Sequence, residues 1–89
     1  MKVRKRVLYS GRVQGVGFRA TCHFIAARRE VGGFVRNLAD GRVELVVEGD
    51  DDEVRAVLAE VARAMSGNIR ETVEAAEPPA GESDFRIER

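Results

Sequence analysis

A glycine-rich segment that ends in an arginine contains the residue types most suited to chemistry in this sequence. Residues 11–19 read GRVQGVGFR and lie between a predicted strand and a predicted helix. The first N–H groups of a helix lack intrahelical partners, and glycines let the backbone approach a ligand closely. Successive N–H groups at such a turn form an anion-binding concavity, which the helix dipole strengthens. The segment is either a site for a small anion or an ordinary tight turn.

Arg19 falls in the first turn of the predicted helix, where a cation is unfavourable against the helix dipole. An anion held between the guanidinium and the backbone amides would explain this position, because arginine grips phosphate as a planar fork. A solvated arginine beside a tight turn is the simpler alternative. The segment matches neither the Walker A pattern nor the dinucleotide-binding glycine pattern.

Asn37 is the second candidate, because asparagine is depleted in strands and this residue lies inside a predicted one. It shares a strand face with Val35, on the side where helices are expected to pack. A buried carboxamide needs partners, so Asn37 is either a satisfied structural residue or a functional one. Its type and position alone favour the structural role. The neighbouring Arg36 is predicted to be a solvated strand residue.

The sequence contains few residues that could bind a metal or act as a nucleophile. The chain has one histidine, His23, and one cysteine, Cys22, which is predicted to be a small buried apolar residue. No acidic triad and no Cys/His cluster suggests a metal site, and no Ser-His-Asp set can be assembled. Any chemistry would therefore depend on positioning and electrostatics, and no cofactor is predicted.

Glycine and proline divide the chain into the elements that must position these residues. Strands are predicted at 7–13, 34–38, 42–48, 69–76 and 84–88, and helices at 18–29 and 50–65. The Gly32-Gly33 pair is predicted to end the first helix, and residues 39–41 to form a hairpin turn. The order βαββαβ predicts an α+β ferredoxin-like fold, with two helices on one face of a mostly antiparallel four- to five-stranded sheet. Apolar stripes mark the two helices: Phe18, Cys22, Ile25 and Ala26 in the first, and Val54, Val57, Leu58, Val61 and Met65 in the second.

The formal net charge is zero, but it is distributed unevenly. Residues 1–36 carry nine Lys or Arg and one acidic residue, whereas residues 37–89 carry six Arg and fourteen acidic residues. The basic part could focus an anionic ligand, although charge alone favours pairing of the two parts within the fold. A length of 89 residues predicts one domain, 1–89. With no apolar segment after the basic N-terminus, the expected location is cytoplasmic.

Residues 11–19 resemble the acylphosphatase signature Gly-x-Val-Gln-Gly-Val-x-Phe-Arg, and residues 33–37 with 40–44 resemble the second signature of that family. The resemblance covers essentially the whole chain. It implies hydrolysis of acyl phosphates to a carboxylate and inorganic phosphate, without a metal or cofactor. It also implies that Arg19 and the backbone amides before it bind the phosphoryl group, while Asn37 orients the attacking water. The implied phosphate-binding loop is Gln14, Gly15, Val16, Gly17, Phe18 and Arg19.

Four residues depart from the family pattern, and none of them is Arg19 or Asn37. Arg29-Glu30 stands where the family usually has Leu-Gly, so the end of the first helix is expected to differ. Glutamate tolerates the left-handed conformation poorly, and this weakens the predicted stability. Phe34 replaces the usual Trp, and Leu38 stands where some members carry a hydroxyl residue.

Two alternatives compete with a small phosphohydrolase. A similar signature occurs in the N-terminal module of the hydrogenase-maturation carbamoyltransferase, a much longer chain, which the length of this sequence disfavours. The other alternative is a non-catalytic anion- or RNA-binding module, but the aromatic motif of RNA-recognition sheets is absent. The expected partners are a small acyl phosphate and inorganic phosphate, as product and inhibitor. No nucleic acid or membrane partner is expected, and the chain is expected to be a monomer.

Overall fold

The computed structural model describes residues 1–89 as a five-stranded sheet with two helices against one of its faces. The strand order is β4-β1-β3-β2-β5, with β5 parallel to β2 and every other neighbouring pair antiparallel. This is the predicted βαββαβ arrangement with a short fifth strand at one edge. The elements are β1 (Lys2–Gly11), α1 (Phe18–Ala27), β2 (Val31–Asn37), β3 (Val43–Asp50), α2 (Asp51–Ala64), β4 (Ile69–Glu77) and β5 (Phe85–Ile87).

The hydrophobic core lies between the two helices and the sheet face that carries Val7, Tyr9 and Val35. Burial of the apolar stripes on both helices drives this packing, because apolar surface is removed from water. The predicted stripes are confirmed, and only Leu58 at the margin of α2 is partly exposed. Neither α1 nor α2 has the length and apolar composition that a membrane-spanning helix requires.

The sequence predicted that the Gly32-Gly33 pair ends α1, and this prediction was wrong. The helix ends at Ala27, and both glycines lie inside β2. A Cβ on Gly33, which has φ +130°, would collide with the Val46 carbonyl, and a Cβ on Gly32 would collide with the Glu82 carbonyl. Gly33 thus allows close approach of the neighbouring strand, and Gly32 allows close approach of the loop before β5. The usual meaning of glycine as a helix stop misled the prediction.

The end of α1 is accommodated without a left-handed residue. No non-glycine residue has a positive φ, so the strain expected at Glu30 is absent. Arg29 donates hydrogen bonds to Glu53 at 3.4 Å and to Glu60 at 3.2 Å, and both acceptors lie on α2. The backbone N–H of Glu30 also donates to Glu53, at 3.2 Å. The backbone N–H groups of Arg28 and Arg29 donate to the carbonyls of Ile25 and Ala26, so α1 ends without a glycine cap.

Ion pairs on the sheet face opposite the helices join the basic and acidic parts of the chain. Glu44 is only 3% exposed and accepts hydrogen bonds from Arg6 and Arg36. Arg4 pairs with the buried Glu48 at 3.0 Å and with two further glutamates. The interpretation that the two charged parts pair within the fold is confirmed. The prediction for Arg36 was wrong in one respect, because this residue is ion-paired as well as partly solvated.

The same sheet face carries one aromatic ring, that of Phe34. The guanidinium carbons of Arg36 and Arg86 lie 5.7 and 5.5 Å from its centroid. RNA-recognition sheets offer several free aromatic rings on which bases stack. A single ring already covered by two guanidinium groups does not favour the RNA-binding alternative.

Candidate active site

The loop between β1 and α1 takes its shape from two glycines. Gly15 and Gly17 have φ values of +76° and +80°, in the left-handed region, and Gly17 is the N-cap of α1. A Cβ on either residue would meet no atom within 4 Å. Their backbone conformation, and not a lack of space, therefore requires glycine at both positions.

The backbone N–H groups of this loop and of the first turn of α1 are free. From residue 14 to residue 20, no N–H donates to a protein acceptor, and the first bond of the helix runs from Thr21 to the Gly17 carbonyl at 3.0 Å. No acidic side chain lies in the first turn of α1, and no side chain caps it. A run of free donors at the positive end of a helix dipole is suited to bind an anion.

Arg19 is the second residue of α1 and is half-buried at the edge of the same loop. None of the ion pairs in the molecule includes it. Its guanidinium therefore adds a free, permanently charged fork to the free amides around it. Together they form a site with no internal counter-charge.

Asn37, the last residue of β2, lies on the other side of this cleft. Its Oδ1 is the one buried side-chain polar atom of the molecule without a hydrogen-bond partner in the protein. Leaving a buried acceptor unpaired costs about 1–3 kcal/mol, so native proteins normally pair such an atom with a protein group or with water. No protein group supplies the partner that a structural role for Asn37 would require at its Oδ1.

The cleft between the loop and the end of β2 has a volume of about 290 Å³. Its apolar lining consists of the buried Val13 and Phe18 and the exposed Ala20 and Ile87. Ile87, in β5, lines the cleft and is 43% exposed. Arg89 also lines the cleft and was not predicted. The parallel pairing of β5 with β2 places Ile87 beside Val35 and brings the C-terminal residues to the cleft.

Two of the predicted loop residues do not line the cleft. The side chain of Val16 points outward and is 38% exposed. The side chain of Gln14 instead donates to the backbone carbonyls of Leu38 and Arg42, at 2.8 and 3.0 Å. The structure thus brings six predicted features to one place, namely Gly15, Gly17, Phe18, Arg19, Asn37 and the free amides.

The titratable groups near this region offer no nucleophile. Burial raises the pKa of the Cys22 thiol to about 12, so the thiol stays protonated near neutral pH. No group of three or more His, Cys, Asp or Glu side chains could hold a metal ion. The chemistry available to the cleft is therefore anion binding together with the orientation of a neutral molecule such as water.

The fold and the cleft define a class of small ferredoxin-like α+β proteins in which a glycine-rich loop with free backbone amides precedes the first helix. The family model described as Acylphosphatase matches residues 5–87. The chain belongs to the acylphosphatase family, as its signatures predicted.

Relatives and solved structures agree with this assignment. An acylphosphatase from Synechococcus sp. is 46% identical over 87 residues, which cover 97% of this chain and 93% of that protein. The crystal structure of acylphosphatase from Bacillus subtilis has a TM-score of 0.87 at 28% identity and covers 98% of this chain and 99% of the other. HypF from T. kodakarensis has a TM-score of 0.77 at 32% identity, but this chain spans 12% of its length. The relatives that match along their whole length carry the name of an enzyme.

Proposed function

We propose that this chain hydrolyses the carboxyl–phosphate bond of acyl phosphates, with the phosphoryl group in the loop of residues 14–19 and the attacking water held by Asn37. One observation carries the proposal: the free amides and the unpaired Arg19 face the unpaired buried Oδ1 of Asn37 across one cleft. An anion would satisfy the first set of groups, and a water molecule the second.

The reaction needs no acid or base from the protein. Water attacks phosphorus, the P–O bond to the acyl group breaks, and the carboxylate leaves with the bonding electron pair. An acyl phosphate dianion and water thus become a carboxylate and dihydrogen phosphate. Because the leaving carboxylate is already stable, catalysis rests on positioning the reactants and on stabilising charge at the phosphoryl oxygens.

Each part of the cleft has a separate task in this proposal. The amides and Arg19 bind the three non-bridging oxygens, where charge accumulates in the transition state. The Asn37 carboxamide offers a donor and an acceptor, so it orients the water without removing its proton. Ala20 and Ile87 give the acyl group an apolar wall. Inorganic phosphate, the product, fits the same loop and inhibits competitively, and the active chain is a monomer.

The test is the release of phosphate from benzoyl phosphate by the purified chain, with Arg19→Ala as the control. We expect turnover by the wild type, little by the variant, and no effect of a chelator. Hydrolysis in ¹⁸O-labelled water should place the label in phosphate and not in benzoate. An inactive wild type, or an activity that a chelator abolishes and one divalent metal restores, would contradict the proposal.

Binding of phosphate can be tested separately from turnover. At one hundred times its dissociation constant, phosphate should stabilise the fold by about 2.7 kcal/mol. For a domain of this size, that corresponds to a rise in Tm on the order of 10 °C. Arg19→Ala should lose most of this rise, and an unchanged Tm of the wild type in phosphate would count against the site.

A further inference from the structure

One side chain, that of Gln14, joins the loop before α1 to the turn that follows Asn37. Its Nε2 donates to the carbonyl of Leu38 at 2.8 Å and to the carbonyl of Arg42 at 3.0 Å. Both acceptors lie in the turn between β2 and β3: Leu38 directly follows Asn37, and Arg42 directly precedes Val43. The Leu38 N–H also donates to the Arg42 carbonyl, at 2.8 Å. Gln14 therefore binds both ends of the turn that connects β2 to β3.

No other hydrogen bond joins the loop to the hairpin. Arg12, at the start of the loop, donates its N–H to the Asn68 carbonyl at 2.9 Å, which leads away from the hairpin. No backbone bond connects residues 12–17 with residues 37–42, and the two Gln14 bonds are the only ones from a side chain. Because the Oδ1 of Asn37 has no protein partner, the place of this carboxamide depends on its own backbone.

We propose that Gln14 is a positioning residue that sets the distance between the bound phosphoryl group and the water held by Asn37. This inference rests on the proposed function. The side chain of Gln14 does not line the cleft, so it acts through the hairpin and not on the phosphate. A misplacement of about 1 Å between reactants can lower a rate by about 10²-fold, so a link of two hydrogen bonds is enough to control turnover.

The first test is Gln14→Met, which keeps the length of the side chain and removes both N–H donors. We expect kcat on benzoyl phosphate to fall by about 10-fold or more. The affinity for phosphate, measured as the rise in Tm, should stay within about twofold, because the loop amides and Arg19 remain. A residue that only supported the fold would lower Tm and leave the kcat of the folded protein unchanged.

The second test is Gln14→Glu, which adds a pH readout. At neutral pH the carboxylate faces two carbonyl oxygens, cannot donate, and is repelled, so kcat should be low. Facing two acceptors in a partly buried place also favours the protonated form and raises the pKa of the new carboxyl group. As the pH falls towards 5, the O–H can donate, and kcat relative to the wild type should rise. The ratio for Gln14→Met should stay flat.

The matched control is Asp40→Asn at the tip of the same hairpin. Asp40 accepts hydrogen bonds from the backbone N–H and the guanidinium of Arg42, but it has no contact with Gln14. This variant should keep wild-type kcat. If Asp40→Asn loses as much kcat as Gln14→Met, the hairpin is sensitive to any change and the assignment to Gln14 is wrong.

The remaining outcomes separate this inference from the proposed function. A wild type inactive on benzoyl phosphate overturns the proposed function, and the inference with it. An active wild type with an equally active Gln14→Met overturns the inference alone. Loss of phosphate affinity in parallel with kcat also overturns it, because Gln14 would then shape the loop and not its distance to Asn37.

Discussion

Arg19 stabilises no other part of the protein. It stands in the first turn of α1 without an ion-pair partner, where a cation opposes the helix dipole by about 0.3–1 kcal/mol. Only an anion in the cleft would make this position favourable. The arrangement predicts that replacement of Arg19 lowers activity but leaves stability equal or higher.

Replacing Arg19 should therefore lower activity without lowering stability. Arg19→Ala should reduce kcat/KM by about 10²-fold or more, because it removes charge stabilisation at the phosphoryl oxygens. Arg19→Lys should be nearly as inactive, since lysine keeps the charge but loses the two-pronged geometry. In the absence of phosphate, the Tm of both variants should equal or exceed that of the wild type. Near wild-type turnover by Arg19→Lys would show that Arg19 contributes only its positive charge and not its two-pronged geometry.

Asn37→Ala should separate chemistry from binding. We expect kcat to fall by about 10²-fold, because the water loses its orientation. Competitive inhibition by phosphate should change little, since Arg19 and the amides are untouched. Because the Oδ1 has no hydrogen-bond partner in the protein, its removal breaks no hydrogen bond of the fold, and Tm should be nearly unchanged. A variant that melts early but turns over normally when folded would remove Asn37 from the mechanism.

The loop before α1 is the element that gathers the free amides, and its two left-handed glycines determine where they point. Gly17→Ala forces an L-residue into that region at a cost of about 1–2 kcal/mol, although the Cβ itself meets no atom. The loop should relieve this strain by moving, which turns the amides away from the ligand. We expect Gly17→Ala to fold, with a lower phosphate-induced rise in Tm.

Two other glycines serve as controls for this prediction. Gly67→Ala, in the turn after α2, has an ordinary φ and open space for a Cβ, so phosphate binding should not change. Gly33→Ala should fail to fold stably, because its Cβ collides with the Val46 carbonyl in the adjacent strand. If Gly17→Ala bound phosphate as well as the Gly67→Ala control, the loop conformation would have no part in binding.

The buried carboxylates of β3 govern how the whole molecule responds to acid. Burial alone would raise the pKa of Glu44, but hydrogen bonds from Arg6 and Arg36 outweigh it and hold the pKa below its usual 4.5. Burial would also raise the pKa of Glu48, and two backbone N–H groups with Arg4 hold it low. A carboxylate with a lowered folded pKa contributes stability above its unfolded pKa, and this stability is lost as pH falls through the folded value.

The free energy of unfolding should therefore be steady above about pH 4.5 and fall steeply below it. Urea unfolding from pH 7 to pH 2 measures this directly. Glu44→Gln should lose about 1–3 kcal/mol at pH 7, because two arginines lose their charged acceptor, and its acid transition should be shallower. An equal stability of the wild type at pH 6 and pH 3 would show that these ion pairs contribute nothing.

Local patterns determined much of this protein from the sequence alone. The period of apolar residues predicted both helices and the sequence of strands and helices along the chain. It could do so because an element that buries one face has apolar residues at regular intervals. The spacing of residues 11–19 and 33–44 predicted the family, which is confirmed, and nominated Arg19 and Asn37 as candidates. Boundaries were less accurate: β1 begins at Lys2 and not at residue 7.

Tertiary structure decided what depends on contacts between distant segments. The parallel pairing of β5 with β2 turned Ile87 towards the cleft, and the central place of β3 buried Glu44 among its arginines. The close approach of the Val46 carbonyl to Gly33 explains why glycine stands inside β2, where the sequence alone indicated the end of a helix. The bonds from Gln14 to the hairpin span more than twenty residues. No local pattern contains these features, because each depends on a partner that only folding brings near.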